Sequence, residues 1–204
     1  MHAVVLATRN RGKIAELSKL LEGFHLEVRG LDAFPEVGEV PETGDTFAAN
    51  ALQKASTVAG LTGLVAVADD SGLVVDALGG APGVYSARYA GEKAGDAANN
   101  AKLLAALAGV PAGRRQARFR CVMAAAAPNG ETLLAEGAWE GEIALALTGE
   151  GGFGYDPLFF DPALGRTAAQ LDREEKNAVS HRGRALRALL AAWPPFWARA
   201  GLEK

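Results

Sequence analysis

The feature that most limits the folds open to this 204-residue chain is a repeated handover from short apolar strands to amphipathic helical stretches, punctuated by glycine and proline. "HAVVLAT" reads as a strand, and "GKIAELSKLLEGF" then sets Ile14, Leu17, Leu20, Leu21 and Phe24 on one helical face. A second helix follows in "GDTFAANALQKASTVAGL". Asp45 or Thr46 is its N-cap, Phe47, Ala51, Leu52, Ala55 and Val58 face inward, and Asn50 and Lys54 share a neighbouring stripe. "LVAVA" is a buried strand ending at Asp69 and Asp70, and "DAANNAKLLAALAGV" is a third helix. "RQARFRCVMAAAAP" and "ETLLAEGAWEGEIA" flank "PNGE", whose Asn-Gly predicts a hairpin turn and so an antiparallel pair. A charged, helix-like stretch "TAAQLDREEKNAV" precedes a last helix, "RGRALRALLAAW", capped by Ser180 and stopped by Pro194 and Pro195. The pattern is α/β with a mixed sheet.

Length and composition narrow the function classes. No repeat or low-complexity linker divides the chain, so residues 1–204 are expected to form one domain, large enough to bury a full core. A net charge of −3 argues against the broad basic surface that binds nucleic acid, so any anion site must be local. The single cysteine, Cys121, cannot form an internal disulfide and sits among apolar neighbours, as a buried, inert thiol would in a reducing compartment. The longest apolar run, residues 121–127, is far short of a bilayer span, and "MHAVVLAT" lacks the basic flank and length of a signal peptide. No membrane association and a cytoplasmic location are expected.

Five segments are candidates for chemistry. "TRNRGK", residues 8–13, joins the first strand to the first helix, where α/β sheets bind ligands and a helix N-terminus offers N–H groups and positive dipole to phosphate. It is not a Walker A loop, because Ala7 stands where the first glycine belongs and Ile14 where a Ser or Thr would follow Lys13. The alternative is a solvated basic turn. In "ETGDTFAANALQKA", Glu42 precedes a glycine turn, and Asn50 and Lys54 follow on one helix face, an arrangement that could present a carboxylate and a cation to one cleft. Alone, this is an ordinary capped helix. Asp69 and Asp70 repel at their strand end unless a cation is present. Mg²⁺ suits them, with Glu42 a further ligand, since it takes a few carboxylate oxygens and keeps waters and substrate phosphates. The alternative is a pair of acids that cap the following turn and face water. "GEGGFGYDPLFF" contains a literal G-x-G-x-x-G at Gly149, Gly151 and Gly154, but Asp156-Pro157 follows where a dinucleotide fingerprint must open a helix. What remains is a glycine turn whose Phe153, Tyr155 and Asp156 either face a planar base or pack in the core. In "EEKNAVSHRGRAL", His181 and Arg182 fall in a helical first turn, where cations oppose the dipole, so helix stability does not explain them.

Taken together, "TRNRGK", "ETGDTFAANALQKA", "ADDSGLVVDALGGAPGVYSARYAG", "GGFGYDPLFF" and "SHRG" closely resemble the inosine triphosphate pyrophosphatase family, in the same order and with similar spacing from about Val4 to Leu186. The resemblance implies a homodimer with a long twisted mixed sheet flanked by helices, its two lobes set around a central nucleotide cleft. It implies Mg²⁺-dependent hydrolysis of noncanonical purine nucleoside triphosphates (ITP, dITP, XTP) to the monophosphate and pyrophosphate. Carried over by position, Thr8, Asn10 and Lys13, with Gly12 in the same loop, match the family's phosphate-holding segment, and Lys54 matches a triphosphate contact. Glu42 and Asp70 match metal-associated acids, Asp70 also matches the proposed general base, and Ser71 lies beside the substrate. Phe153, Gly154, Tyr155 and Asp156, with Lys176, His181 and Arg182, match the nucleoside end. One departure is Arg9, in place of the small residue that commonly follows the threonine; Arg11 adds a second bulky charge, and both either strengthen phosphate binding or face solvent.

Overall fold

The computed structural model describes residues 2–9, 14, 18 and 26–202. Seven strands, β1 (His2–Leu6), β2 (Leu26–Gly30), β3 (Val65–Val75), β4 (Gln116–Ala126), β5 (Thr132–Ile143), β6 (Phe159–Asp161) and β7 (Arg166–Thr167), form one sheet in the order β2-β1-β3-β4-β5-β6-β7. β1 runs parallel to both β2 and β3, whereas β6 is antiparallel to β5 and β7, so the sheet is mixed. The parallel strands carry the unbroken apolar runs Val4 to Leu6 and Val65 to Ala68, fully buried as strands covered on both faces must be. The hairpin is present: β4 and β5 meet through Ala127, whose N–H donates to the Glu131 carbonyl at 2.9 Å, with Gly130 at φ 92° in the turn. The described helices are α1 (Phe47–Thr62), α2 (Asp96–Ala106), α3 (Arg173–Val179), α4 (His181–Ala191) and α5 (Trp193–Arg199). Most of the stretch expected as the first helix lies outside the described residues; Ile14 and Ser18 within it are helical.

Two compact units emerge from the chain. The first gathers Met1–Asp70, Val122–Glu136 and Ala185–Lys204. In it α1 buries Phe47, Ala51, Ala55, Val58 and Ala59, as its apolar spacing requires, while Leu52 is only half-buried and Asn50 is buried instead. Arg199 on α5 pairs with Glu131 at 2.9 Å. The second unit gathers Ser71–Cys121 and Gly137–Arg184. Its core holds Leu73, Val75, Leu103, Leu107, Trp139, Leu158 and Phe159. There the rings of Phe119 and Phe159 lie 4.5 Å apart and those of Trp139 and Phe159 5.0 Å apart in an edge-on arrangement. The Trp139 indole N–H donates to Asp161 at 2.7 Å, which satisfies two buried polar groups at once.

Two expectations about element ends are corrected. β3 does not stop at the acid pair but continues through it to Val75, because Leu73 and Val75, both fully buried, give the strand a second apolar anchor beyond the charges. Pro194 and Pro195 do not simply end the last helix. α4 closes at Ala191 and the prolines occupy the opening turn of α5, where an N–H would be unpaired anyway and φ near −65° suits the helix.

Candidate functional site

In the first unit, the Thr46 hydroxyl accepts from the Ala49 N–H at 3.1 Å and so fixes where α1 begins. That start sets Asn50 and Lys54 one turn apart on a shared face. Asn50 is 1% exposed; its Oδ1 accepts from the Gly44 N–H at 2.7 Å and its Nδ2 donates to Asp70 Oδ2 at 3.0 Å. Lys54 Nζ donates to Glu42 Oε1 at 2.6 Å and to the Asp69 carbonyl at 2.6 Å. Position 44 tolerates nothing larger than glycine: a Cβ there would stand 2.7 Å from the Ala49 Cβ and 2.9 Å from Asn50 Oδ1. The structure thus pairs Lys54 with Glu42, ties Lys54 to the Asp69 carbonyl, and ties Asn50, one turn earlier on α1, to the next residue, Asp70.

The acid pair itself behaves differently from the expectation. Successive residues of a strand point to opposite faces, so Asp69 and Asp70, both inside β3, do not present their carboxylates side by side. Asp70 is the buried member, 8% exposed. Ser71, half-buried, follows it on the same strand. Among the described residues no three His, Cys, Asp or Glu side chains gather as a metal cluster. Asp70 and Glu42 supply hard oxygen donors, and two carboxylates fit magnesium, which completes its shell with water and phosphate oxygens.

At the end of β1, the Thr8 N–H donates to the Leu6 carbonyl at 2.7 Å and the Thr8 carbonyl accepts from Leu31 N–H at 3.0 Å. Arg9, exposed, donates from Nη2 to the Val37 carbonyl at 2.9 Å, so its guanidinium is tied to the segment that leads to Glu42. Asn10, Arg11, Gly12 and Lys13 lie outside the described residues.

The second unit holds the remaining candidates. Asp156 is buried, and its Oδ2 accepts from the Phe153 N–H at 2.8 Å and pairs with the Lys176 ammonium. The same ammonium lies 4.9 Å from the centre of the Phe153 ring, which is 64% exposed. Gly152 has room for no side chain, since its φ is +76° and a Cβ would come within 2.0 Å of Asp156 Oδ2. Of the two alternatives for the turn's aromatics, Tyr155 takes the core, its hydroxyl donating to the Ser86 carbonyl at 2.9 Å. Burial pushes the Tyr155 phenol well above the usual range, with smaller contributions from Tyr89 and Asp96. The turn therefore offers one aromatic ring to solvent, not two. Gly154, at φ +62°, gives its N–H to Asp96 at 2.6 Å and its carbonyl accepts from Asn100 Nδ2 at 2.8 Å. His181 and Arg182 open α4, whose start Ser180 caps by accepting the Gly183 N–H at 3.2 Å. The buried His181 ring stacks on Phe119 at 4.9 Å.

Two side chains that organise these groups escaped the sequence reading as site residues, Asp96 and Asn100, while Asn50 was placed there only on a face shared with Lys54. Asn50 and Asn100 stand on the core-facing side of their helices beside Ala51 and Leu103, where an amide needs a dedicated partner, and that is the signal for Asn100. Asp96 carries none, because an acid in a helical first turn is ordinary.

Comparison with known proteins places this arrangement. The dITP/XTP pyrophosphatase of Nitratidesulfovibrio vulgaris is 64% identical over 200 residues, covering 95% of this chain and 97% of that protein. The protein of the same name from Desulforamulus reducens is 58% identical over 184 residues, covering 90% of this chain and 92% of its own length. Among solved structures, a HAM1 protein from Coxiella burnetii superposes with a TM-score of 0.90 at 47% identity, over 94% of this chain and 98% of that one. Another, a nucleoside-triphosphatase / dITP/XTP pyrophosphatase from Mycobacterium abscessus, matches with a TM-score of 0.81 at 51% identity, over 94% and 99% of the two chains. The profile of the Ham1 family matches residues 4–192, and with that match spanning nearly the whole chain, the protein belongs to the Ham1 family.

Proposed function

We propose that this protein hydrolyses noncanonical purine nucleoside triphosphates, ITP, dITP and XTP, to the nucleoside monophosphate and pyrophosphate, and so removes deaminated purines from the nucleotide pool. The observation that carries the reading is the buried Asp70 carboxylate, held by Asn50 on a strand beside the Glu42–Lys54 pair. The relatives' printed activity supports it. Phosphoryl transfer needs little covalent help from a protein; positioning and charge neutralisation dominate it. Asp70 is the proposed base for the water that attacks the α-phosphorus, and Asn50 keeps its carboxylate in one orientation. Lys54 carries three N–H donors, of which Glu42 and the Asp69 carbonyl take two, leaving a third for a phosphate oxygen. Thr8, Asn10, Gly12 and Lys13 are assigned to the phosphates on the resemblance alone. Mg²⁺ is proposed as the cofactor, held by Asp70 and Glu42; when bound it neutralises phosphate charge and acidifies water.

At the nucleoside end, the exposed Phe153 ring is the proposed stacking surface for the purine, with Asp156 and Lys176 bracing it from below. His181 and Arg182 are the proposed donors to the 6-keto oxygen that hypoxanthine and xanthine share and adenine lacks. A mismatched buried polar group there costs about 1–3 kcal/mol, roughly 5- to 150-fold per contact. A homodimer, on the resemblance, and a single domain over residues 1–204 with a cytoplasmic location, on the sequence patterning, complete the proposal. No described helix is long and apolar enough to cross a membrane.

The test is pyrophosphate release from ITP, XTP, dITP, GTP, ATP and CTP at equal concentration, with and without Mg²⁺, by the wild type and Asp70→Asn. Metal-dependent release favouring ITP and XTP, lost in Asp70→Asn without loss of fold, is expected. Binding without release points to a regulator instead, and preference for a common triphosphate removes the base-pocket assignment.

A further inference from the structure

We propose that Asp96 and Asn100, on α2, are positioning residues for purine recognition. They grip both polar atoms of the Gly154 backbone and so fix the turn that presents Phe153. The inference rests on the nucleotide reading above and names residues that reading does not use. Asp96 Oδ2 receives the Gly154 N–H at 2.6 Å, and Asn100 Nδ2 donates to the Gly154 carbonyl at 2.8 Å. One helix thereby fixes the orientation of the peptide groups on both sides of a left-handed residue. On one flank of Gly154 stands the exposed Phe153 ring; on the other, Tyr155 and Asp156 are anchored in the unit's interior. Without the grip, Phe153 keeps its local bonds with Asp156, N–H to Oδ2 at 2.8 Å and carbonyl from the Asp156 N–H at 3.2 Å, and the Lys176 cation over its ring.

Two details favour a role in recognition over one in stability. Asp96 stands in the first turn of α2, where no side chain caps the helix, yet its carboxylate is turned to a peptide 58 positions away. Asn100 is 5% exposed and its Oδ1 is buried with no hydrogen-bond partner. Buried amides are kept in a core for the hydrogen bonds they make. Its donation to Gly154 is what the amide contributes.

The same helix also holds a second segment, through Asn99 to the Ala90 N–H at 2.8 Å and Lys102 to the Tyr89 carbonyl at 2.6 Å. Tyr155 and Ser86 tie that segment to the turn, and the Ser86 hydroxyl accepts the Leu73 N–H at 2.9 Å. The turn is therefore held against strand β3 at a site two residues from Ser71.

The experiment compares Asp96→Ala, Asp96→Asn and Asn100→Ala with the wild type, each first shown folded by circular dichroism. Steady-state kinetics with ITP are combined with inhibition by tripolyphosphate, a base-free probe of the phosphate end. Asp96→Ala and Asn100→Ala are expected to raise KM for ITP about tenfold, equivalent to about 1.4 kcal/mol, with kcat within about twofold and the tripolyphosphate inhibition constant unchanged. Asp96→Asn retains an acceptor and should restore KM. Either alanine variant alone suffices if the other fails to fold. An unmoved KM, or tripolyphosphate weakened in step with ITP, overturns the inference while leaving the function reading intact. A wild type that releases no pyrophosphate from ITP or XTP sinks that reading, and the inference falls with it.

Discussion

Asn50→Asp replaces one amide NH₂ by an oxygen and leaves the shape of the side chain unchanged. The Oδ1 acceptor for the Gly44 N–H survives, but the donor 3.0 Å from Asp70 Oδ2 becomes a second carboxylate oxygen. Two unit charges at that spacing repel by about 5–6 kcal/mol at an effective dielectric near 20. The pair has a cheaper escape, which is to hold one proton between its oxygens. Binding a proton at pH 7 to a carboxyl of ordinary pKa near 4 costs about 4 kcal/mol, and at pH 5 about 1.4 kcal/mol. The smaller figure wins at each pH, so the variant should lose about 4 kcal/mol at neutral pH and regain most of it by pH 5. The sign follows from the raised folded-state pKa: stability is complete below the unfolded pKa and falls as pH rises toward the folded one. For a chain of this length the neutral-pH loss corresponds to a Tm drop of roughly 8–16 °C. Urea unfolding at pH 5 and pH 7 is the assay, with Asn50→Ala as the uncharged comparison, whose loss should be the same at both. An Asn50→Asp protein as stable as wild type at pH 7, or equally weakened at both values, refutes the close Asn50–Asp70 contact.

Other outcomes follow from contacts elsewhere. Tyr155→Phe removes the bond to the Ser86 carbonyl and should cost about 1 kcal/mol at neutral pH by urea titration. Because burial raises the Tyr155 phenol, the wild type should lose stability as pH climbs past 10 more steeply than the variant; parallel alkaline curves contradict this. Trp139→Phe strips a donor from the buried Asp161 carboxylate and should destabilise by about 2–3 kcal/mol, a loss that unchanged urea midpoints would disprove. Lys54→Met should weaken triphosphate binding at least tenfold by calorimetry, since it removes the cation held on Glu42 and the Asp69 carbonyl; equal affinity in both proteins takes Lys54 out of the proposed phosphate site.

Apolar periodicity made β1, β3, β4, β5, α1, α2 and the hairpin legible, because burial of one stripe or one run decides each of them, whereas β2, β6 and β7, short strands at the two ends of the sheet order, were not read. Local chemistry narrowed the cap to Asp45 or Thr46, of which the structure uses Thr46, and placed Glu42 and Lys54 where they could face one cleft, without showing that they pair directly. What periodicity could not report is where charge interrupts a strand without ending it. Asp69 and Asp70 look like a terminus in sequence, yet Leu73 and Val75 pull the chain on into the core. Nor does sequence say which of two aromatics in a turn is held inside. Tyr155 goes in because its hydroxyl finds the Ser86 carbonyl, a partner 69 residues away, and Phe153 has no polar handle to bring in. The buried amides Asn50 and Asn100 depend on partners just as distant in the chain.

The two compact units are assembled from alternating stretches of one chain, three for the first and two for the second. Neither is a contiguous cassette. No single truncation yields one unit whole, and no gene fragment encodes one without coding for part of the other. A β3 peptide bond, that between Asp70 and Ser71, is where the chain crosses from the proposed base to the neighbouring residue of the second unit. A single contiguous exchange therefore cannot carry one unit, with the proposed base Asp70 or the proposed stacking ring Phe153, without carrying part of the other.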